Sequence, residues 1–171
     1  MTFIAGPYTA TWTPPSSTAK ALGILQDGFD LEWVMHGEVI KGDNLGDSIQ
    51  DGVYRGGDCF ISCICEEFDA AALYGTSGTT AQVFNPASNT FGKHGQAGVL
   101  FSALAGILAL SRVSAATGAT PNITADKAIL ANEHVIRSKL ASRLRVVPLR
   151  LLLLPYTNSG STVWFVPSVP A

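Results

Sequence analysis

Phe29-Asp30-Leu31-Glu32-Trp33 and the run from residue 53 to residue 68 decide the fold. The first alternates apolar and acidic side chains with a period of two, the pattern of a strand with one face buried. The second is rich in β-branched, aromatic and thiol side chains and reads as another extended segment. Gly56-Gly57 inside it marks a bulge or a close approach of backbone. Between the runs, residues 37–50 contain Lys41-Gly42-Asp43-Asn44, a turn sequence. Residues 29–68 are therefore expected to form one long antiparallel hairpin, with an arm over about 34–56 and an acidic tip. Asp27-Gly28 is read as the turn that opens its first strand. A ribbon that long projects from its domain unless something covers it. It is then a partner-binding arm or a mobile loop.

Outward from the hairpin, Asp69-Ala70-Ala71-Ala72-Leu73-Tyr74 is the best helix candidate, capped by Asp69 and stopped by Gly75. Two turns need a sheet to pack on. Residues 76–98 are rich in Ser, Thr, Asn and Gly and read as an irregular loop, a length uncommon without a function. Strands resume from Val99, with candidates at 108–113, 123–130, 134–138, 145–154 and 162–166. Leu149 to Leu154 barely alternates and is expected to be covered on both faces. Pro148 calls for an edge position or a bulge. The whole reads as one mainly β, antiparallel domain over residues 1–171 with one short helix.

The charges are sorted by segment. Residues 26–69 carry eleven of the thirteen acids against only Lys41 and Arg55, a local charge of −9. Residues 93–150 carry eight bases against Asp126 and Glu133, a local charge of +6. The chain as a whole stands at only −2. Opposed poles favour packing copy against copy. They are also compatible with separate solvated faces, or with neutralisation inside one subunit. Charged residues make up 14% of the chain, where about a quarter is usual. That deficit fits a surface partly covered by an oligomer, or simple hydrophobic richness. Met1 to Pro15 has no basic start followed by an apolar run, and no apolar stretch approaches the roughly 20 residues of a membrane helix. The chain is read as made in a cytoplasm.

Chemistry is sparse. Cys59, Cys63 and Cys65 share one face of a strand, too far apart along it for good disulfide geometry. His36, His94 and His134 are distant in sequence and no CxxC pair occurs, so buried reduced thiols are expected in place of a metal site. Gly92-Lys93-His94 lacks the spacing and the Ser or Thr of a phosphate loop. Ser77-Gly78 is not a nucleophile elbow. Glu66 and Glu67 would point to opposite faces of a strand. No catalytic residue, cofactor or metal is expected. The basic residues of 137–150 have no interleaved aromatics for base stacking. An acidic lining would instead let DNA pass without the counterion release that makes it cling. Trp12, Trp33 and Trp164 are scattered and each is read as a core residue.

Several segments together resemble the tail tube proteins of long-tailed bacteriophages. They are Asp27-Gly28-Phe29-Asp30-Leu31, then Gly42-Asp43-Asn44-Leu45-Gly46-Asp47, then Asp51-Gly52-Val53-Tyr54-Arg55-Gly56, and a strand ending in Glu66-Glu67-Phe68 before the helix. Further on come Lys127-Ala128-Ile129-Leu130, Arg143-Leu144-Arg145-Val146-Val147-Pro148-Leu149-Arg150, and the turn from Leu154-Pro155-Tyr156 to Gly160. The likeness spans about 24–74 and 123–166. The cysteine-rich strand and the middle of the chain, 76–120, depart from it.

The resemblance implies a β-sandwich or barrel-like subunit flanked by a helix, and homohexameric rings that stack into a hollow tube with an acidic lumen. On that reading Glu38, Lys41, Asp43, Asp47, Asp51 and Arg55 form the ring-stacking arm. Arg137, Lys139, Arg143, Arg145 and Arg150 present a basic partner surface. Partners are other copies of the chain, the tape-measure and terminator proteins of the tail, and a sheath where the tail has one. DNA is passing cargo, no membrane is involved, and the location is the virion tail. One alternative is a single-layer neck or terminator ring of the same fold. Others are a soluble ligand-binding β domain and an enzyme that uses the thiols.

Overall fold

The computed structural model describes residues 7–15, 18–41, 48–66, 100–113, 121–131, 139–140 and 145–168. Its described strands are β1 (Tyr8–Thr13), β2 (Lys20–Lys41), β3 (Ile49–Glu66), β4 (Gly106–Arg112), β5 (Asn122–Leu130), β6 (Lys139–Leu140), β7 (Arg145–Leu153), β8 (Tyr156–Asn158), β9 (Ser161–Val163) and β10 (Val166–Ser168). One turn of helix, α1 (Phe101–Leu104), precedes β4. Six antiparallel strands close into a barrel in the order β5-β4-β1-β2-β3-β7, with β5 pairing β7 to complete the ring. The expectation of a mainly β, barrel-like antiparallel fold is met.

The barrel interior is built by the period of two. Tyr8, Ala10 and Trp12 of β1, Leu22 and Leu25 of β2, and Leu108 and Leu110 of β4 all point inward and are buried. So are Ile123, Ala125 and Ala128 of β5, and Val147, Leu149, Leu151 and Leu153 of β7. Cys59, Ile61, Cys63 and Cys65 complete the set from β3. The three thiols share one face, as their spacing predicts.

Strand β5 gains a second partner towards its end. It pairs with β4 from Ile123 to Ala125 and again at Ala128, where Leu153 of β7 pairs on the other side, and Asp126 and Lys127 lie in the irregularity between. Lys127 C=O then accepts from Leu154 N–H at 2.7 Å, which bends the strand across to close the barrel. Pro148 pairs with Ile64 of β3. Arg150 C=O accepts from Ala131 N–H, so the even-numbered backbone groups of β7 face the β5 side. Pro148 falls between the end of the β5 contact and the start of β6, which pairs at Val146 and Arg145. Leu152 and Leu154 are half-buried while Leu151 and Leu153 are fully buried, so the weak alternation marks a strand with a partly covered outer face.

Several expectations need correction. Asp27-Gly28 does not open a strand. It is a two-residue bulge inside β2, at φ +58° and +83°, between the rungs Gln26–Ile64 and Phe29–Cys63. Because two residues are inserted, parity is kept: Leu25 faces Cys65 and Phe29 faces Cys63 on the same side. Strand β1 and the first nine residues of β2 lie outside the expected strands, because Thr, Pro and Gly mask their alternation. The strand expected at 108–113 is β4, which begins two residues earlier at Gly106 and is preceded by the short helix. Leu100 accepts from Ala103 N–H and Phe101 from Ala105 N–H, which makes 101–104 helical. The run 162–166 is two short strands, broken at Trp164 and Phe165. The helix at 69–74, the loop at 76–98, the turn at 42–44 and the strand at 134–138 lie outside the described residues.

Candidate functional site

The arm is the part of the β2–β3 ladder that outruns the barrel. β1 pairs with β2 only up to Leu25, and β7 pairs with β3 only from Cys59. The ladder nevertheless continues to the rung Lys41–Ile49. At roughly 3.3 Å per residue, Val34 to Lys41 extends about 25 Å beyond the barrel. Within the expected arm, 34–56, the described residues 34–41 and 48–56 belong to this ribbon.

Its two faces differ. Leu31, Trp33, Met35 and Val39 of β2 project on the face that continues the barrel interior, together with Tyr54, opposite Gly37, and Ile49, opposite Lys41. These six are exposed by between 44% (Leu31) and 73% (Met35). A contiguous exposed apolar stripe is a candidate contact site. The other face carries the exposed Ile40 and Val53 together with Glu32, His36, Glu38 and Asp58, and these four are ion-paired within the chain. His36 Nε2 lies 2.7 Å from Asp58 Oδ2, Arg55 Nη2 donates to Glu38 Oε2, and Arg150 Nη2 donates to Glu32 Oε2 at 2.8 Å.

The expected arm residues fall as follows. Glu38, Lys41, Asp51 and Arg55 lie on the distal ribbon, and Asp51 Oδ1 accepts from Gly52 N–H at 2.7 Å. Asp43 and Asp47 lie outside the described residues. So do Arg137 and Arg143 of the expected basic surface. Lys139 in β6 and Arg145 at the head of β7 are neighbours in one ladder, at the Glu66 end of β3. The arm leaves from the Cys59 end. The acidic ribbon and this basic strand pair therefore stand at opposite ends of the barrel. Arg150 is different: it reaches Glu32 and lies 4.3 Å above the Phe60 ring, so its charge is used within the subunit.

The structure also joins residues that the sequence kept apart. Trp33 and Trp164 pack together at the root of the arm, with ring centroids 5.0 Å apart and planes tilted by 54°. They are distant in sequence, and no local pattern could have paired them. Trp12 is a core residue as expected.

All three cysteines are free and buried. Cys63 Sγ lies 4.0 Å from Cys65 Sγ, and the contact with Cys63, followed by burial, pushes the Cys65 thiol well above the ordinary range. Burial pushes Cys59 up as well. Neither is a nucleophile near neutral pH. Among the described residues, no group of three or more His, Cys, Asp or Glu could hold a metal ion. No helix among them is long and apolar enough to cross a membrane.

Comparison of the chain with protein-family models gives no match, and comparison with curated proteins gives none either.

Proposed function

We propose that this chain is a virion structural protein, the subunit of a phage tail tube. Copies form hexameric rings, the rings stack, and the hollow stack conducts DNA during ejection. The observation that carries this reading is the arm. It is a ribbon about 25 Å long, at roughly 3.3 Å per residue, with an exposed apolar stripe on one face and internally paired charges on the other. A contiguous exposed apolar surface of this kind fits a contact with another molecule.

A second copy is the natural occupant. The arm leaves one end of the barrel and the basic ladder of Lys139 and Arg145 lies at the other. A head-to-tail contact between unlike ends does not close on itself and generates a filament. The acids of 26–69 give such a tube a lining that repels phosphate. The resemblance of the arm and closing segments to tail tube proteins supports the same assignment.

Sedimentation velocity on the purified chain tests it. Growth into large, open-ended species is expected as concentration rises. A hexamer that never grows would favour the single-layer neck or terminator ring instead. A compact species indifferent to concentration would favour a ligand-binding β domain.

A further inference from the structure

The ribbon is tied to the barrel on both faces at one level. On the interior-continuing face, Trp33 packs on Trp164, which itself packs against the barrel core. On the opposite face, the adjacent residue Glu32 accepts from Arg150 at 2.8 Å, and the guanidinium covers Phe60. Glu32 pairs with Phe60 and Trp33 with Cys59, so both ties sit on consecutive rungs. Cys59 is also where β7 stops supporting β3.

A short way above the ties the ladder breaks. His36 pairs with Gly56 and Gly37 with Tyr54, which leaves Arg55 with no residue opposite. Gly56 holds φ +122°, a conformation that L side chains rarely adopt. The ion pairs beyond the ties, His36–Asp58 and Glu38–Arg55, lie within the ribbon itself.

We infer that the arm is two bodies joined at this bulge. The base, 29–35 with 57–63, is held to the barrel by the two ties. The distal segment, 37–41 with 49–54, swings about Gly56. A bulge interrupts the ladder and bends the strand. A hinge needs only a few residues that can absorb a change in φ and ψ. A two-stranded ribbon without a third strand has little rigidity of its own. The fixed base aims the arm and the joint lets its apolar face settle on what it meets. This two-body construction is independent of whether the assembly is a tube or a single ring.

Double electron–electron resonance on the dilute, monomeric full chain tests it. Spin labels are carried on unnatural amino acids, so the native thiols stay untouched. One pair spans Ser111, on barrel strand β4, and Met35; the other spans Ser111 and Ile40. In the otherwise unaltered protein the Ser111–Met35 distribution is expected to be narrow. The Ser111–Ile40 distribution is expected to be at least about twofold broader, since freezing traps a hinge across its range. Equal narrow widths would mean one rigid ribbon, and equal broad widths would mean an arm loose at its root; either overturns the inference. Trp164→Leu with Glu32→Gln should broaden the first distribution to match the second. A narrow first distribution in that folded double variant would overturn the assignment of the ties. The comparison without substitutions decides the joint even if the double variant does not fold.

Discussion

Arg150 links Glu32 and Phe60: its guanidinium lies 2.8 Å from the Glu32 carboxylate and 4.3 Å above the Phe60 ring. One residue of the basic pole thus meets one residue of the acidic pole inside the same subunit, at the point where the arm leaves the barrel. A half-exposed ion pair contributes little, and the cation–π contact adds a comparable amount. Arg150→Ala is expected to lower stability by about 1–2 kcal/mol, read as a lower urea midpoint. An unchanged midpoint would mean that the contact holds nothing in place.

The apolar stripe separates folding from assembly. Val39 and Tyr54 are exposed on the distal ribbon and contribute nothing to the barrel core. Val39→Ser with Tyr54→Ser is expected to change folding stability by no more than about 0.5 kcal/mol per site. Assembly, read by light scattering, should fall steeply. Normal assembly by the folded double variant would show that this face is not the contact.

Gly57 makes room for the indole of Trp33. A Cβ there would stand 2.7 Å from Trp33 Nε1 and 2.8 Å from Val34 O. Backbone cannot yield cheaply, so Gly57→Ala should destabilise by about 1–3 kcal/mol, as overpacking does. It should also separate Trp33 from Trp164, seen as loss of near-ultraviolet circular dichroism from the pair. An unchanged spectrum would mean that the indole has another resting place.

How far the sequence carries this account depends on range. The period-two alternation of Phe29 to Trp33 and of 145–153 identifies strands because burial on one face imposes it locally. Gly56-Gly57 betrays the bulge for the same reason, since only glycine fits that backbone. The Asp27-Gly28 pair misleads because a turn and a two-residue bulge ask for the same left-handed conformations, and the sequence does not say whether the strand continues. β1 stays hidden since its partners, β2 and β4, are set by long-range pairing. At the site, the arm is legible and its working face is not. Charge density draws attention to Glu38 and Arg55, while the structure pairs them with each other and leaves Met35, Val39 and Tyr54 exposed. The packing of Trp33 on Trp164 depends wholly on barrel closure.

The buried thiols make stability pH-dependent on the alkaline side. Cys65 is held protonated in the fold, whereas the unfolded chain ionises it near its ordinary value of 9.0. Its contribution is complete below that value and declines as pH rises beyond it. The expected loss is about 1.4 kcal/mol per pH unit for such a thiol. Tyr156, pushed up by burial and then by the charge of Asp126, acts in the same direction above 10.0. Urea midpoints measured across the alkaline range, with Cys65→Ala alongside, check this. A decline equally steep in Cys65→Ala would assign it elsewhere. Native thiols should also react slowly with alkylating reagents, and one fast cysteine would favour the thiol enzyme.

Negative-stain electron microscopy of the purified chain at rising concentration tests the central claim most directly. The account predicts rings that stack into hollow tubes, lost when Val39 and Tyr54 are both serine. Isolated particles of single-subunit size at every concentration, unchanged by those substitutions, would contradict it.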